Sequence, residues 1–476
     1  MSKKLSDKRW PWVVASIAVF LMFLSAFVRI DLGAGVDPRP IGNLEKPDDL
    51  ERLVRMRKQG NLNVLFILVD TLRASRLGSY GYERDTSPTM DRVAAHGVRF
   101  ARHMAQSSWT KCSMASLWTG LNPARTGVIK FDDVISDDAL MPAEILRDAG
   151  FQTVAIYRNG WVSPNFGFNQ GFEVYTRPAP AGLPASVRRE NPTITGHSSD
   201  QDSVLTAEEF LRVRGHEPWF LYLHLMDVHE YVYDQDTALF GSDISDVYDN
   251  SIRWTDRIIG RFLDYVEAAG FAQNTIIVIA ADHGEAFLER GYEGHARNVY
   301  PETTEVPLII QLPFRLEPGL TVETRSRNVD IWPTILDLIG LDSMGQIDGR
   351  TLAPDMIASA EGFPLDDDRT GIAFLDMRWG QQTEDRVPSV AVTEGSYRYV
   401  RQGAVGNARA IEELFDAAKD PAELIDASAK DVAQLEHMRR VADDYLKLEP
   451  AWGVTPTREL GELERNQLRA LGYSIP

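Results

Sequence analysis

The sequence predicts an α/β fold, a mostly parallel sheet between layers of helix, and three observations carry this. Three uninterrupted apolar runs recur: NVLFILVD at 63–70, WFLYLHLMDVH at 219–229 and NTIIVIAADHG at 274–284. Runs of this kind suit strands buried on both faces, as in a parallel sheet. Helical stretches at 90–97, 143–149 and 252–269 fall between them, so strand and helix alternate. A chain of 476 residues, 44% hydrophobic and 25% charged, has material for a large core and is neither disordered nor fibrous.

In chain order, residues 1–9 hold Lys3, Lys4, Lys8 and Arg9 against Asp7, and residues 10–28 carry no charge. A helix over that stretch spans roughly 28 Å, close to the hydrocarbon thickness of a bilayer. The expectation is a cytoplasmic tail (1–9) and a single-pass transmembrane anchor (10–28) in the cell membrane. The catalytic part would then be extracytoplasmic, periplasmic or extracellular. A cleaved signal peptide is the competing reading. Residues 29–62 form a linker with Gly33, Gly35, Pro38 and Pro40 and a charged helical piece at 48–58. The catalytic domain is expected at 63–362. A polar, interrupted C-terminal subdomain follows at 363–476, with a short strand near 396–401 and a helix near 429–448, covering one edge of the main sheet.

Composition excludes several classes. Sixty-nine acidic residues against 50 basic give a net charge of −19, the wrong sign for a nucleic-acid binder. A single cysteine, Cys112, rules out an intramolecular disulfide framework and a cysteine-based zinc site.

The chemistry gathers where the apolar runs end. In open α/β sheets ligands bind beyond the carboxyl ends of the strands. Here those ends carry Asp70, Asp227 with His229, and Asp282 with His283; His295 lies just downstream. Aspartate and neutral imidazole are ligands for divalent ions. Carboxylates crowded at one sheet edge repel each other unless a cation offsets them. Each Asp alone could instead cap a helix; the set of acids with adjoining histidines points to a metal. His224, in the middle of a strand, reads as a core histidine.

An ordered series of segments then matches a family: DTLRASRLGSYGYERDTSPTMDRVAAHGVRF from Asp70, SWTKCSMASLWTGLNPARTGV, FLYLHLMDVHEY, ADHGEAFLERGYEGH, EVPLIIQLP, NVDIWPTILDLIGL and DGRTLAP. Together they resemble the sulfatase branch of the alkaline phosphatase superfamily over residues 63–354, with a weaker echo in ELFDAAKDPAEL. The resemblance implies an alkaline-phosphatase-like fold and a nucleophile at a helix start, bound to one divalent metal ion (calcium, manganese or zinc). It implies hydrolysis or transfer of sulfate or phosphate esters. Carried over by position, Asp70, Asp282 and His283 are metal ligands. His229 and His295 face the substrate, or hold a second metal as in the phosphotransferase relatives.

Typical members carry a cysteine, converted to formylglycine, in a Cys-x-Pro-x-Arg motif. The family's Thr-Gly pair matches Thr119 and Gly120, and its nucleophile stands nine residues before that threonine, at Thr110. Cys112 then falls on the proline position and Met114 on the arginine position, so no formylglycine is expected. Thr110, itself a fourth metal ligand, resembles the threonine nucleophile of the phosphodiesterase and phosphotransferase relatives. A sulfated threonine has no hemiacetal route for expelling sulfate, whereas a phosphothreonine can be attacked by water. Phosphate esters are therefore slightly favoured over an arylsulfatase-type sulfuric ester hydrolase. Arg158 and Asn159 stand where many members bind sulfate with Lys and His, and Arg158 could clamp an anionic oxygen or lie on the surface. Lys111 could add a cation for substrate binding or be solvated. The expected partner is a sulfated or phosphorylated glycan, lipid or small molecule, with the membrane reached through the N-terminal helix and no nucleic acid. A catalytically degenerate binding or assembly protein is the alternative of another class.

Overall fold

The computed structural model describes residues 62–178, 198–316, 318–365, 369–381, 383, 385–404 and 409–470. In chain order the strands are β1 (Asn63–Val69), β2 (Val98–Met104), β3 (Gln152–Ile156), β4 (Val174–Thr176), β5 (Trp219–Leu225), β6 (Thr275–Ala280), β7 (Ala286–Phe287), β8 (Glu293–Gly294), β9 (Leu308–Gln311), β10 (Leu320–Arg327), β11 (Gly371–Asp376), β12 (Pro388–Glu394), β13 (Tyr397–Gln402) and β14 (Ile411–Asp416). The main helices are α1 (Pro88–His96), α2 (Thr110–Thr119), α3 (Pro142–Asp148), α4 (Asp200–Arg214), α5 (Ile244–Ala268), α6 (Ile331–Ile339), α7 (Ala353–Glu361) and α8 (Val432–Tyr445).

Eight strands form one sheet in the order β10-β2-β9-β6-β1-β5-β3-β4. Neighbours run parallel except around β9, which is antiparallel to both β2 and β6. The alternation along β1 shows why the run is apolar throughout. Val64, Phe66 and Leu68 pack on the side of α2 and α6, while Leu65, Ile67 and Val69 pack on the side of α1, α4 and α5. Both faces are covered, so every position of the strand must be apolar. Trp118 of α2 stacks on Trp332 of α6 at 5.1 Å and meets Phe66 edge-on. The antiparallel strands β11 to β14 form a second sheet, whose Ala373, Leu375, Val390, Val392 and Val400 join the same apolar cluster as β1 and α2.

The tail and anchor expected at 1–9 and 10–28, and the linker expected at 29–62 up to residue 61, including the helical piece at 48–58, lie outside the described residues. Among the described residues no helix is long and apolar enough to cross a membrane. The 25-residue α5 has the length, but Asp246, Arg253, Arg257, Asp264 and Glu267 mark it as amphipathic. The expected single-pass location in the cell membrane is corrected accordingly, and no membrane attachment enters the functional reading.

Candidate active site

Strand register builds the centre. Leu68 of β1 lies opposite Ala280 of β6 and His224 of β5. Two residues further along both β1 and β6, the chain reaches Asp70 and Asp282, so neighbouring parallel strands deliver two carboxylates to one level. Thr71 takes a left-handed backbone (φ 62°) immediately after β1. Its N–H donates to Asp282 Oδ1 (3.2 Å) and its carbonyl accepts from Tyr248 Oη (2.7 Å), a costly conformation secured at both ends. Thr110 enters as the first residue of α2, where the helix presents its positive end. Beyond β3, Asn159 reaches the same point from the opposite side.

The side chains of Asp70, Asp282 and His283 are fully buried and each offers a ligand atom within 4.8 Å of the others. Asp70 Oδ1 and Asp282 Oδ2 are buried without a hydrogen-bond partner. His283 Nε2 lies 3.3 Å from Asp282 Oδ2 and 3.8 Å from Asp70 Oδ1, and a cation held among these three atoms would offset the charge of two buried carboxylates. Burial works to raise the Asp70 pKa, but the His224 hydrogen bond and the charges of His229, His224 and His283 outweigh it and hold the carboxyl well below the usual range. Asp282 is pushed up, by burial first and by Asp70 second. The pair therefore divides as two carboxylates sharing a small space do. These residues fit a divalent cation of the oxygen- and nitrogen-binding kind.

The remaining atoms are set by a second layer. Asp70 Oδ2 accepts from Asn159 Nδ2 (2.6 Å) and from His224 Nε2 (3.1 Å), leaving Oδ1 for the gap. A carboxylate only accepts, so His224 carries its proton on Nε2, while Nδ1 takes the Tyr222 hydroxyl proton at 2.7 Å. His283 Nδ1 lies 3.0 Å from the Gly284 carbonyl, which fixes its proton there and frees Nε2 as a ligand. Thr110 Oγ1 lies 3.0 Å from that Nε2 and accepts a weaker bond from Asn159 Nδ2 at 3.4 Å.

His295 and His229 keep some solvent exposure and stand beside the buried centre. The His295 ring lies 4.5 Å from that of His283 and 5.1 Å from that of His229. His295 Nδ1 faces both oxygens of the buried Glu285 at 3.2 Å. Burial lowers the His295 pKa, but the Glu285 charge and hydrogen bond outweigh it and the net shift is upward. Burial pushes His229 down to about 4, so it is neutral at pH 7. Glu285 and His224 are site residues the sequence reading missed. His224 resembled a core histidine, and only the register with Leu68 brings it to Asp70.

Two expected substrate-binding residues are placed otherwise. The buried Arg158 guanidinium binds Asp200, Asp227 and Glu230. Its clamp is thus closed on protein carboxylates rather than open to an ester, and the expectation is corrected. Lys111 is also buried; its Nζ donates to the carbonyls of Lys130 and Phe131 and sits 3.7 Å over the Phe166 ring. Turned into the core by its place on α2, it offers no cation to the pocket. Cys112 is buried with its thiol pushed up to about 12, by burial above all, so it stays neutral.

Residues 62–341 match the Sulfatase family, and residues 289–442 match the family described as N-sulphoglucosamine sulphohydrolase, C-terminal. The chain is 22% identical to steryl-sulfatase of Mus musculus, over 72% of this chain and 70% of that protein. It is 24% identical to an N-acetylglucosamine-6-O-sulfatase of Bacteroides thetaiotaomicron, over 61% and 70%. The solved phosphonate monoester hydrolase of Agrobacterium radiobacter shares the fold with a TM-score of 0.63 at 19% identity, covering 81% of this chain and 96% of that one.

Proposed function

This chain belongs to the sulfatase family and is a hydrolase of sulfuric or phosphoric esters; on that premise we propose that Thr110 attacks the ester through a covalent intermediate, with phosphorus esters its first substrates. One observation carries this reading: the Thr110 hydroxyl, at a helix start, touches His283 Nε2 at 3.0 Å in the pocket that holds two unsatisfied carboxylate oxygens.

Asp70, Asp282, His283 and Thr110 would hold one divalent cation, which when bound lowers the pKa of a hydroxyl and offsets charge on the ester oxygens. Asn159 holds the Thr110 oxygen and Asp70 together through one amide, which fixes the direction of attack. Thr110 Oγ1, its proton released to solvent before the ester binds, attacks phosphorus in line, and the bond to the leaving oxygen breaks. His295 is the acid of choice, because Glu285 favours its protonated form while burial lowers His229; it gives its proton to the leaving oxygen. The phosphothreonine ester is then cut by water at phosphorus, and the neutral His295 takes that water's proton.

Arg158 and Lys111 have their donors on protein acceptors, so neither is placed to neutralise a second ionised oxygen. That favours phosphodiesters and phosphonate monoesters, with one ionised oxygen, over phosphate monoesters. Sulfate esters share the single charge and are the second reading, favoured by the names of the curated relatives, which also make a glycan the first natural substrate class to try. Turnover of p-nitrophenyl sulfate, p-nitrophenyl phosphate, bis-p-nitrophenyl phosphate and p-nitrophenyl phenylphosphonate, with calcium, manganese or zinc, separates them. Mass spectrometry of the peptide spanning 105–125 during turnover should find one phospho or sulfo group on Thr110. An adduct on Cys112, or turnover with no adduct, defeats the reading; metal binding without turnover on the whole panel would support a degenerate binding protein.

A further inference from the structure

We propose that Trp379, supplied by the turn after β11, is a positioning residue that holds His295 at the distance needed to protonate the leaving oxygen. The proposal rests on the reading of His295 as the acid. His295 is followed by Ala296, which sits at φ 57°, a left-handed conformation that residues with a Cβ seldom adopt. Two hydrogen bonds keep it there. Its N–H donates to the Ser108 carbonyl at 2.8 Å, and its carbonyl accepts from Trp379 Nε1 at 3.3 Å.

The same indole reaches the other two arms of the site. Its ring stacks on Trp109 at 4.5 Å with 22° between planes, and Trp109 directly precedes Thr110. It meets Trp161 edge-on at 5.9 Å, and the Trp161 backbone N–H donates to Asn159 Oδ1 at 2.8 Å. Trp379 is itself anchored from behind, its carbonyl accepting from Phe131 N at 3.0 Å. One side chain from the second sheet thus braces the neighbours of Thr110, Asn159 and His295. At Ala296 it acts through its N–H, and there the backbone is strained and would relax if released, swinging the preceding residue.

Trp379→Phe removes the N–H and keeps an aromatic ring. A leaving phenol is acidic enough to need little protonation when it carries a nitro group and needs more without it. On phenyl phenylphosphonate, kcat should fall at least about tenfold with KM little changed; on p-nitrophenyl phenylphosphonate it should fall less than about twofold. Adding Ala296→Gly should restore most of the loss, since glycine holds φ near 57° without strain. His295→Ala serves as control. If that variant is selective for the phenyl ester but Trp379→Phe loses both esters equally or loses nothing, the Trp379 role alone falls. Failure of Ala296→Gly to rescue also overturns it. If His295→Ala shows no selectivity, the acid assignment falls and the Trp379 role with it.

Discussion

Two buried acid clusters lie at neighbouring strand ends of one sheet, and the chain treats them oppositely. At the ends of β3 and β5, Asp200, Asp227 and Glu230 converge on Arg158. Backbone N–H groups of Met226 and Asp227 and the Trp254 Nε1 complete their bonding. At the ends of β1 and β6, histidines stand beside Asp70 and Asp282 but among the described residues no Arg or Lys bridges them, and one oxygen of each is left without a hydrogen-bond partner. Where the sequence provides an internal counter-charge, the acids serve as structure. Where no Arg or Lys is provided, two buried carboxylate oxygens stay open near the Thr110 hydroxyl, an arrangement that fits a cation from solution.

That contrast can be broken or sharpened in order of expected effect. Thr110→Ala should reduce turnover by at least about 10³-fold even at saturating metal; Cys112→Ala should keep most activity, and the opposite pattern would show the register to be wrong. Arg158→Met strands carboxylates in the interior and should destabilise by about 3–5 kcal/mol in chemical denaturation. Asp282→Asn should do the reverse, leaving the metal-free fold as stable or more so because it removes a like charge, but lowering metal occupancy. Equal destabilisation of both metal-free variants would erase the distinction between the clusters. His224→Phe, which takes the donor from Asp70, should weaken metal affinity about 10- to 100-fold by titration.

The smallest effect is a slope. Asp227 is raised to about 7, by burial first and by Asp200 second. A raised carboxyl means that the folded chain binds the extra proton between its unfolded value near 3.8 and about 7, so this group's contribution to stability falls as pH rises through that window. Melting temperature against pH should therefore decline less steeply in Asp227→Asn, with or without metal. An unchanged slope would mean that Arg158 already keeps Asp227 ionised.

What could be read without coordinates followed one rule: information lay where a residue's neighbours in sequence are also its environment. The runs ending in Asp70 and Asp282 announced buried strands, and the acids that end them are brought together at one sheet edge. The spacing to Thr119 and Gly120 pointed to Thr110, which the fold places at a helix start beside His283. Arg158 misled because its carboxylates come from 42 to 72 residues away, so its charge was visible and its commitment was not. Lys111 misled because helix phase, not adjacency to Thr110, decides where its ammonium points. Glu285 and His224 act only through partners that the fold supplies.

The second sheet carries a consequence for how the molecule comes apart. Its inward side chains and Met438, Ala442 and Tyr445 of α8 complete the interior that β1, α2 and α6 begin. Neither portion can close its own interior, so heating should melt the whole as one event. Severing the chain ahead of Gly371 would then yield a fragment that aggregates rather than a smaller working hydrolase.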